Sequence, residues 1–480
     1  MQTVETRSSF NLQDWQKGYQ SLTQEYEYWI DEVEGEIPAE LTGTLFRNGP
    51  GLLDINGQQY HHPFDGDGMV CAIAFNGGRA HFRNKFVRTS GFVAEQAAGK
   101  ILYRGVFGTQ KPGGWLANFL DLKQKNIANT NVIYWGGKLL ALWEADAPYH
   151  LNPHNLGTIG LDRLEGILAD GDVFSAHPRI DLISGEDSPV LVNFGIKPGL
   201  STTISIYELD KNGKLLERSD RVIPGFAFIH DFAITENYSI FLQNAMEFNP
   251  LPYLLGLKGA GQCLNFKSNR PAKVWIVPRN SSEPMQVLET QAGFIFHHAN
   301  AFEADGAIYL DSICYDYLPT VEATSDYRQT DFSSLSPGKL WRFKLDLGQQ
   351  KVDSQILLSR CCEFPAINPK NMGLNYRYLY IGAADSPEGN APLQAILKLD
   401  LKTQKEHIWS AARHGFVSEP VFVRRSAGSA EDDGWVITLI YDASSHRSAV
   451  VVLDGRDLSV VATLRLKHHI PYGFCLLYTS

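Results

Sequence analysis

The sequence predicts an all-β protein and, among all-β architectures, a β-propeller. From Leu41 onward, short runs of strand-forming residues alternate with Gly, Asn, Asp and Pro. The chain contains 42 glycines, which suits the many tight turns of such a fold. A strand that ends in a turn residue also recurs along the chain, and this repeat favours a propeller.

The recurring strand has seven copies. These copies end at Asn76, Asp162, Asp210, Pro278, Asp346, Asp400 and Asp454. From Asp162 onward, successive copies are 48 to 69 residues apart when Arg279, directly after Pro278, marks the fourth copy. This spacing accommodates a four-stranded sheet with its loops, which is one propeller blade. A large β-sandwich whose turns are similar by accident is the alternative.

The region before the repeats has a different composition. Residues 1–40 are predicted to be an N-terminal extension with one short helix around residues 11–26, followed by an acidic run. Residues 41–480 are predicted to be the propeller domain.

Composition limits the possible partners and compartment. The net charge is −10 and the isoelectric point is near 5.8, without a cluster of Lys and Arg, so no nucleic acid is expected as a partner. The N-terminus lacks the apolar core of a secretory signal, and no 18-residue window is uninterruptedly apolar. The six cysteines form no CxxC pair, which argues against a cysteine zinc site. We therefore expect a soluble, cytoplasmic protein.

A second periodicity connects reactive residues. His177, His230, His297, Glu363, Glu419 and Cys475 follow one another at steps of 53 to 67 residues. Equivalent positions on the innermost strands of a propeller converge on its axis. The three histidines are therefore predicted to meet at one point, with the two glutamates close behind them.

The segment 291–303, QAGFIFHHANAFE, contains two adjacent histidines in a predicted strand. Neighbouring side chains of a strand point to opposite faces, so at most one of His297 and His298 is expected to bind a ligand. A buried histidine that hydrogen-bonds a carbonyl is the structural alternative.

Three glutamates in apolar surroundings also attract attention, because an unpaired buried carboxylate is costly. They are Glu144, Glu363 and Glu419. A carboxylate can accept the second ring N–H of a metal-binding histidine. Alternatively, each of them caps a loop amide.

Histidines without a thiolate suit iron, zinc or copper. Aromatic residues accompany these positions, including Trp143, Phe228, Phe296 and Phe364. Such aromatics imply an apolar or conjugated substrate, although ordinary core packing would also explain them.

Two apolar segments lie outside the repeats, at residues 113–122 (GGWLANFLDL) and 249–261 (NPLPYLLGLKGAG). They are either buried lids or an exposed patch that makes peripheral contact with a membrane. Partial burial is slightly favoured.

Long motifs make the chain resemble the carotenoid cleavage oxygenases over residues 14–472. They include FRNGPG (46–51), HPFDGDGMV (62–70), SAHPR (175–179), GFAFIHDFAIT (225–235), AGFIFHHANAFE (292–303) and SRCCEFP (359–365).

The resemblance implies a seven-bladed β-propeller with loops and short helices that cap the active-site face. It also implies a catalytic Fe(II) centre that is held by four histidines, with glutamates behind three of them. The reaction would be addition of O₂ across a double bond of an apocarotenoid, at the central 15,15′ position, to give retinal and a second aldehyde. The apolar segments would draw this substrate from a membrane.

Carried over to this chain, the resemblance gives three iron ligands, His177, His230 and His297. It gives three orienting acids, Glu144, Glu363 and Glu419. The positions expected near the substrate are Phe64, Thr130, Trp143, Phe228, Phe296 and Phe364.

The chain departs from the family pattern at the fourth ligand. The match continues through HHIPYGF and then reads CLLYTS, which puts Cys475 where the family has a histidine. The altered segment is either a changed reading of the gene end or a true loss of a ligand. The site would then have three histidines, a thiolate ligand or no metal. An impaired propeller that binds isoprenoids, and cleavage of another conjugated olefin such as a stilbene, are the alternative functions.

Overall fold

The chain folds into seven antiparallel sheets arranged as the blades of a propeller. The computed structural model describes residues 10–279, 283–291, 293–318 and 326–479. From the centre outward, the strands of blade 1 are Leu476–Thr479, Gly43–Arg47, Asp67–Asn76, Arg79–Phe86 and Glu27–Trp29; of blade 2, Asn131–Trp135, Lys138–Leu142, Tyr149–Leu151 and Thr158–Leu161; of blade 3, Arg179–Asp181, Val190–Lys197, Ser201–Leu209 and Leu215–Pro224; of blade 4, Phe232–Ile234, Tyr238–Gln243, Ala272–Pro278 and Gln286–Thr290.

The remaining blades follow the same plan. The strands of blade 5 are Phe294–Ala304, Ala307–Tyr315, Lys339–Asp346 and Lys351–Leu358; of blade 6, Cys362–Ala366, Tyr378–Ala384, Leu393–Asp400 and Lys405–Ser410; of blade 7, Gly415–Val417 and Val421–Arg424 side by side on Gly434–Asp442, then Arg447–Asp454, Val460–Arg465 and Glu32–Gly35. Pro50–Leu52 also pairs with blade 1, and two small hairpins pair Asp54–Ile55 with Gln58–Gln59 and Met246–Phe248 with Leu264–Phe266. The prediction of a seven-bladed propeller is confirmed.

Short helices lie between the strands. The α-helices are α1 (Leu12–Lys17), α2 (Ser90–Ala98), α3 (Gly114–Asn118) and α4 (Pro250–Leu254). The single-turn 3₁₀ helices are Pro63–Asp65, Leu164–Gly166, Gly261–Cys263, Tyr327–Gln329, Phe332–Ser334 and Pro369–Asn371. Within the described residues, no helix is long and apolar enough to cross a bilayer.

Packing between blades supplies the core. Seven clusters of buried apolar side chains each join two neighbouring blades, and together they run around the ring. Middle strands such as Gly434–Asp442 are buried on both faces. Outer strands such as Leu215–Pro224 alternate between half-buried and exposed side chains, because one face of each is solvated.

The predicted turn residues identify one particular hairpin of the blade. Six of the seven lie at the end of the third strand, where the chain turns into the fourth. Asp162 is the exception, because it follows the outermost strand of blade 2, Thr158–Leu161. The corresponding turn of that blade begins instead at Asn152, after Tyr149–Leu151.

Strands from both ends of the sequence close the ring. Leu476–Thr479 pairs with Gly43–Arg47, and Glu32–Gly35 pairs with Val460–Arg465. Two strands within the predicted extension, residues 1–40, thus form outer edges of blades 1 and 7. Residues 476–479, which follow Cys475, thus form the innermost strand of blade 1.

Helix α1 ends at Lys17, earlier than predicted. The residue after it, Gly18, packs against the ring of Tyr472. A side chain at this position would collide with that ring, since a Cβ there would lie 2.3 Å from it.

Candidate metal centre

Three histidines meet where the innermost strands of blades 3, 4 and 5 begin. His177 and His230 each lie two residues before such a strand, and His297 lies inside Phe294–Ala304. Among the described residues, His177, His230 and His297 form a group whose nitrogen donor atoms all lie within 4.8 Å of one another. The spacing in the sequence therefore predicted their convergence correctly.

Two of the histidines are oriented by carboxylates. Nδ1 of His230 lies 2.6 Å from Oε2 of Glu144, and Nδ1 of His297 lies 2.8 Å from Oε2 of Glu363. A carboxylate at Nδ1 holds the proton on that nitrogen, which leaves the lone pair of Nε2 free for a metal. Glu144 follows the second strand of blade 2, and Glu363 lies on the innermost strand of blade 6.

The third histidine is constrained differently. Nε2 of His177 lies only 2.9 Å from Nε2 of His230. Two imidazole nitrogens at this distance share a proton or repel each other, and a metal ion between them would remove that conflict. Burial, and then the neighbouring His230, holds the pKa of His177 well below its ordinary value. A neutral imidazole is the form that binds a metal.

The His297–Glu363 pair is strongly polarised. Burial opposes protonation of His297, but the carboxylate of Glu363 raises its pKa above the ordinary value. Burial likewise acts to raise the pKa of Glu363, but His297 and two further donors hold it below its usual range. These donors are the Tyr315 hydroxyl, 2.9 Å from Oε1, and the Phe364 amide, 2.5 Å from Oε2.

Phe364 has a strained backbone next to this carboxylate. Its φ is +59°, which is uncommon for an aromatic residue, and the strand register shifts between Glu363 and Pro365. A bulge of this kind re-aims side chains beside a site. Here it points the Phe364 ring toward the His297 imidazole, with the centroids 5.6 Å apart.

The fourth position of the predicted centre has no imidazole. Cys475 is buried, and its Sγ is not among the donor atoms that cluster within 4.8 Å. Burial, together with the negative charge of nearby Glu419, raises the pKa of this thiol well above its ordinary value. The thiolate is the form that binds metals, so Cys475 would have to lose this proton to act as a ligand. Glu419 instead accepts a hydrogen bond from the Leu476 amide, at 2.6 Å, and burial raises its pKa to about 7.

His298 points away from the centre, as the alternation of the strand predicts. It is 3% exposed, and its Nδ1 lies 2.7 Å from the Ser312 hydroxyl inside blade 5. Burial lowers its pKa to about 4. His297 is therefore the histidine of this pair that faces the axis.

A buried ion pair lies directly behind the three histidines. Arg179 donates to both carboxylate oxygens of Asp231, at 2.6 and 2.8 Å. It also donates to the carbonyls of Phe232 and His298, both at 2.9 Å. Sequence reasoning missed this pair, although both residues stand within two positions of a predicted ligand.

The histidines line a cavity of about 510 Å³ whose wall is rich in aromatic side chains. All six positions expected near the substrate lie in its wall: Phe64, Thr130, Trp143, Phe228, Phe296 and Phe364. Trp15 and Tyr19, in and just after helix α1, also line it, and no pattern in the sequence pointed to them. Phe296 packs edge-on against His230, with the centroids 4.5 Å apart. The cavity can therefore enclose a long apolar molecule beside the histidines.

The two apolar segments form one exposed patch rather than partly buried lids. Helices α3 and α4 meet there, and the Leu120 amide donates to the Leu254 carbonyl at 2.9 Å. Within these two segments, the large apolar residues that expose more than half of their surface are Trp115, Leu116, Leu120, Leu122, Leu251 and Leu257. The buried Arg104 donates to the backbone carbonyls of Asp121 and Lys258, at 2.8 and 2.7 Å, and so links the two segments from beneath.

Comparisons with known proteins agree with this architecture. Residues 19–475 match the family model described as RPE65, retinal pigment epithelial membrane protein. The chain is 56% identical over 472 residues to apocarotenoid-15,15′-oxygenase of Synechocystis sp., which covers 97% of this chain and 96% of the relative. It is 30% identical to resveratrol cleavage oxygenase 1 of Botryotinia fuckeliana, over 91% of this chain and 80% of the relative.

Solved structures give the same result. The crystal structure of cobalt-substituted Synechocystis ACO superposes with a TM-score of 0.97 at 56% identity, and the alignment covers 98% of this chain and 100% of that chain. The fold, the long sequence match and the family model agree, and the chain belongs to the RPE65 family of carotenoid cleavage oxygenases.

Proposed function

We propose that this chain is an Fe(II)-dependent dioxygenase that cleaves the central 15,15′ double bond of an apocarotenoid. The carrying observation is the group of three histidines in the wall of an aromatic cavity of about 510 Å³. The likeness to apocarotenoid-15,15′-oxygenase of Synechocystis supports the choice of substrate. In the balanced reaction, R–CH=CH–R′ and O₂ give R–CHO and R′–CHO, one of which is retinal.

The donor set fits a divalent iron. His177, His230 and His297 would hold it through neutral imidazole nitrogens, which suit iron among other transition metals. When bound, the iron would supply the activation of O₂ that the reaction needs, a chemistry that side chains do not provide. Glu144 and Glu363 keep the protons of two imidazoles on Nδ1, so that the other ring nitrogen faces the centre.

The side chains of the cavity wall would bind the substrate and exclude water. Phe64, Thr130, Trp143, Phe228, Phe296 and Phe364 would contact the polyene. Aromatic walls bind a conjugated chain through apolar burial and ring stacking, and they exclude water from the reacting bond. Cleavage requires no side-chain acid or base in this scheme.

The patch formed by α3 and α4 would bring the enzyme to its substrate. Apocarotenoids dissolve in membranes, and six exposed Trp and Leu side chains gather on one surface. Apolar side chains of this kind bury themselves at the boundary of headgroups and acyl chains. We infer peripheral contact with a membrane through this patch.

Cys475 favours a second candidate function. A protonated thiol in place of the fourth histidine would leave a weakened centre, and the apolar cavity would still bind isoprenoids. The chain would then be a carrier or an impaired enzyme. Cleavage of a stilbene-like olefin is a further enzymatic possibility, which the resemblance to resveratrol cleavage oxygenase 1 motivates.

Reconstitution with Fe(II) separates these functions. The purified chain is loaded anaerobically and its bound iron is measured, and an apocarotenal or resveratrol is then added under ¹⁸O₂. The proposal expects retinal and a second aldehyde, each with one ¹⁸O atom after rapid reduction to the alcohols. Less than about a tenth of an equivalent of iron, together with no aldehyde, would overturn the enzymatic function. Aldehydes from resveratrol alone would overturn the choice of substrate.

A further inference from the structure

The three histidines lie in or just before the innermost strands of three different blades, so a metal site requires these blades to keep a fixed separation. Backbone ladders connect strands within one blade, whereas neighbouring blades are joined mainly by apolar packing. Apolar packing is not directional, and a metal site needs positions held to within about 0.5 Å. A directional link between the blades is therefore expected near the histidines.

The Arg179–Asp231 pair has the geometry of such a link. Arg179 begins the innermost strand of blade 3, two residues after His177, and Asp231 directly follows His230 at the start of blade 4. Their side chains are 15% and 2% exposed. A planar guanidinium that donates from two of its nitrogens is more directional than a point charge, and Arg179 donates from Nη2 to Asp231 and from Nε to the Phe232 carbonyl.

The pair also reaches blade 5 through the residue after His297. The carbonyl of His298 accepts from Nη2 of Arg179 at 2.9 Å, and its amide donates to Oδ2 of Asp231 at 2.8 Å. The ion pair thus hydrogen-bonds both the backbone amide and the backbone carbonyl of His298. The strand register shifts on both sides of this residue, so the ladder of blade 5 does not by itself fix the direction of His297.

Blade 4 is tied in the same way. The Phe232 amide donates to Oδ1 of Asp231 at 2.8 Å, and its carbonyl accepts from Nε of Arg179 at 2.9 Å. One guanidinium and one carboxylate therefore connect three chain segments, each within two residues of one of the histidines.

We infer that Arg179 and Asp231 are positioning residues of the proposed metal site, and that this clamp sets the distances between His177, His230 and His297. The inference rests on the proposed function, since it concerns the same site. This positioning role is important in this chain because Cys475 provides no fourth imidazole, so the metal would depend on the three histidines that the clamp positions.

The chain contains a matched control for the test. Arg342 donates to both oxygens of Asp311 at 2.7 Å, and their side chains are 18% and 0% exposed. This pair joins two strands of blade 5 rather than three blades. Arg342→Lys and Arg179→Lys therefore each remove a guanidinium from a buried carboxylate in surroundings of similar exposure, but only the second substitution affects residues close to the histidines.

The test measures Co(II) affinity and the visible absorption spectrum of bound Co(II) in the wild type and both variants. We expect Arg179→Lys to weaken binding at least about tenfold and to alter the spectrum, because lysine cannot bridge Asp231 and the two carbonyls. We expect Arg342→Lys to change the affinity less than about twofold at a comparable loss of thermal stability. A folded Arg179→Lys variant with wild-type affinity and spectrum overturns the inference. A wild type that binds no Co(II) overturns the proposed metal site itself, and the inference falls with it.

A measurement on the wild type covers the case in which Arg179→Lys does not fold. Coupling between two sites is reciprocal, so a clamp that strengthens metal binding must itself be strengthened by the metal. Co(II) should slow hydrogen exchange in peptides that contain the Phe232 and His298 amides, but not in peptides around Arg342. Equal exchange with and without bound Co(II) overturns the inference.

Discussion

Glu363→Gln is the sharpest test of how the centre orients its histidines, because the structure lets the amide keep the shape of the carboxylate. Oε2 of Glu363 accepts from His297 and from the Phe364 amide, while Oε1 accepts from the Tyr315 hydroxyl. The oxygen of glutamine can replace Oε2. Its NH₂ group can donate to the Tyr315 oxygen once that hydroxyl rotates. The substitution therefore removes a charge and little else.

The expected loss follows from the bonds that change. A hydrogen bond to a charged group contributes about 1.5–3 kcal/mol and a neutral one about 0.5–1.5 kcal/mol, so the His297 bond weakens by roughly 1–1.5 kcal/mol. Partners of this kind typically change metal affinity by about 10- to 100-fold. We expect Fe(II) or Co(II) to bind Glu363→Gln about tenfold more weakly.

The assay is competitive titration of Co(II) under anaerobic conditions at pH 8. Glu303→Gln is the control, since Glu303 also accepts several hydrogen bonds, from Thr235 and Asn237, but lies outside the cavity wall. This control loses the same charge and should bind Co(II) as the wild type does. If Glu363→Gln retains wild-type affinity, the orienting role of the carboxylate is refuted.

Three further outcomes are expected. Cys475→His should bind Fe(II) at least about tenfold more tightly, which corresponds to about 1.4 kcal/mol, and should form aldehyde faster; an unchanged affinity in a titration would show that position 475 is not what limits the centre. Replacing Trp115 and Leu116 by Glu should reduce co-sedimentation with phospholipid vesicles severalfold and leave cleavage of detergent-dispersed substrate unchanged, since these side chains are exposed on the patch; equal sedimentation would remove the membrane role of the patch. Burial lowers the pKa of His469 to about 4, so between pH 6.5 and 4 the unfolded chain takes up a proton that the folded chain does not, and stability is lost as the pH falls through this window. Urea unfolding at pH 7.5 and 5 should show the wild type losing about 1 kcal/mol more than His469→Gln, a figure discounted for partial solvent screening, and equal losses would contradict this assignment.

The fold was accessible from the sequence because a propeller repeats one local pattern. The third and fourth strands of a blade are joined by a tight turn, and residues that favour turns, such as Asp210 and Asp400, occur there. The pattern failed at Asp162, because a turn residue can follow any strand and does not say which turn of the blade it makes. Strands near residue 30 were also missed, since their partners lie more than 50 residues away or at the far end of the chain.

The candidate site could likewise be predicted only in part from the sequence. His177, His230 and His297 follow the repeat, so their convergence could be predicted from spacing alone. The link between Arg179 and Asp231 could not, because it depends on side-chain directions across three blades. The exposure of residues 113–122 was also not predictable, because the segment is anchored by Arg104, a residue that lies outside it.

The position of the histidines along the chain has a consequence for biosynthesis. His177, His230, His297 and their carboxylates Glu144 and Glu363 all precede blade 7, whereas ring closure requires Leu476–Thr479 to reach Gly43–Arg47. Domains begin to fold as they leave the ribosome, and long-range pairings form late. In this chain every group of the three-histidine centre has therefore emerged before the propeller can close. The three histidines could therefore bind a metal during translation, before the ring closes. A centre that requires a ligand at position 475 could form only when the ring closes, because this position directly precedes the closing strand.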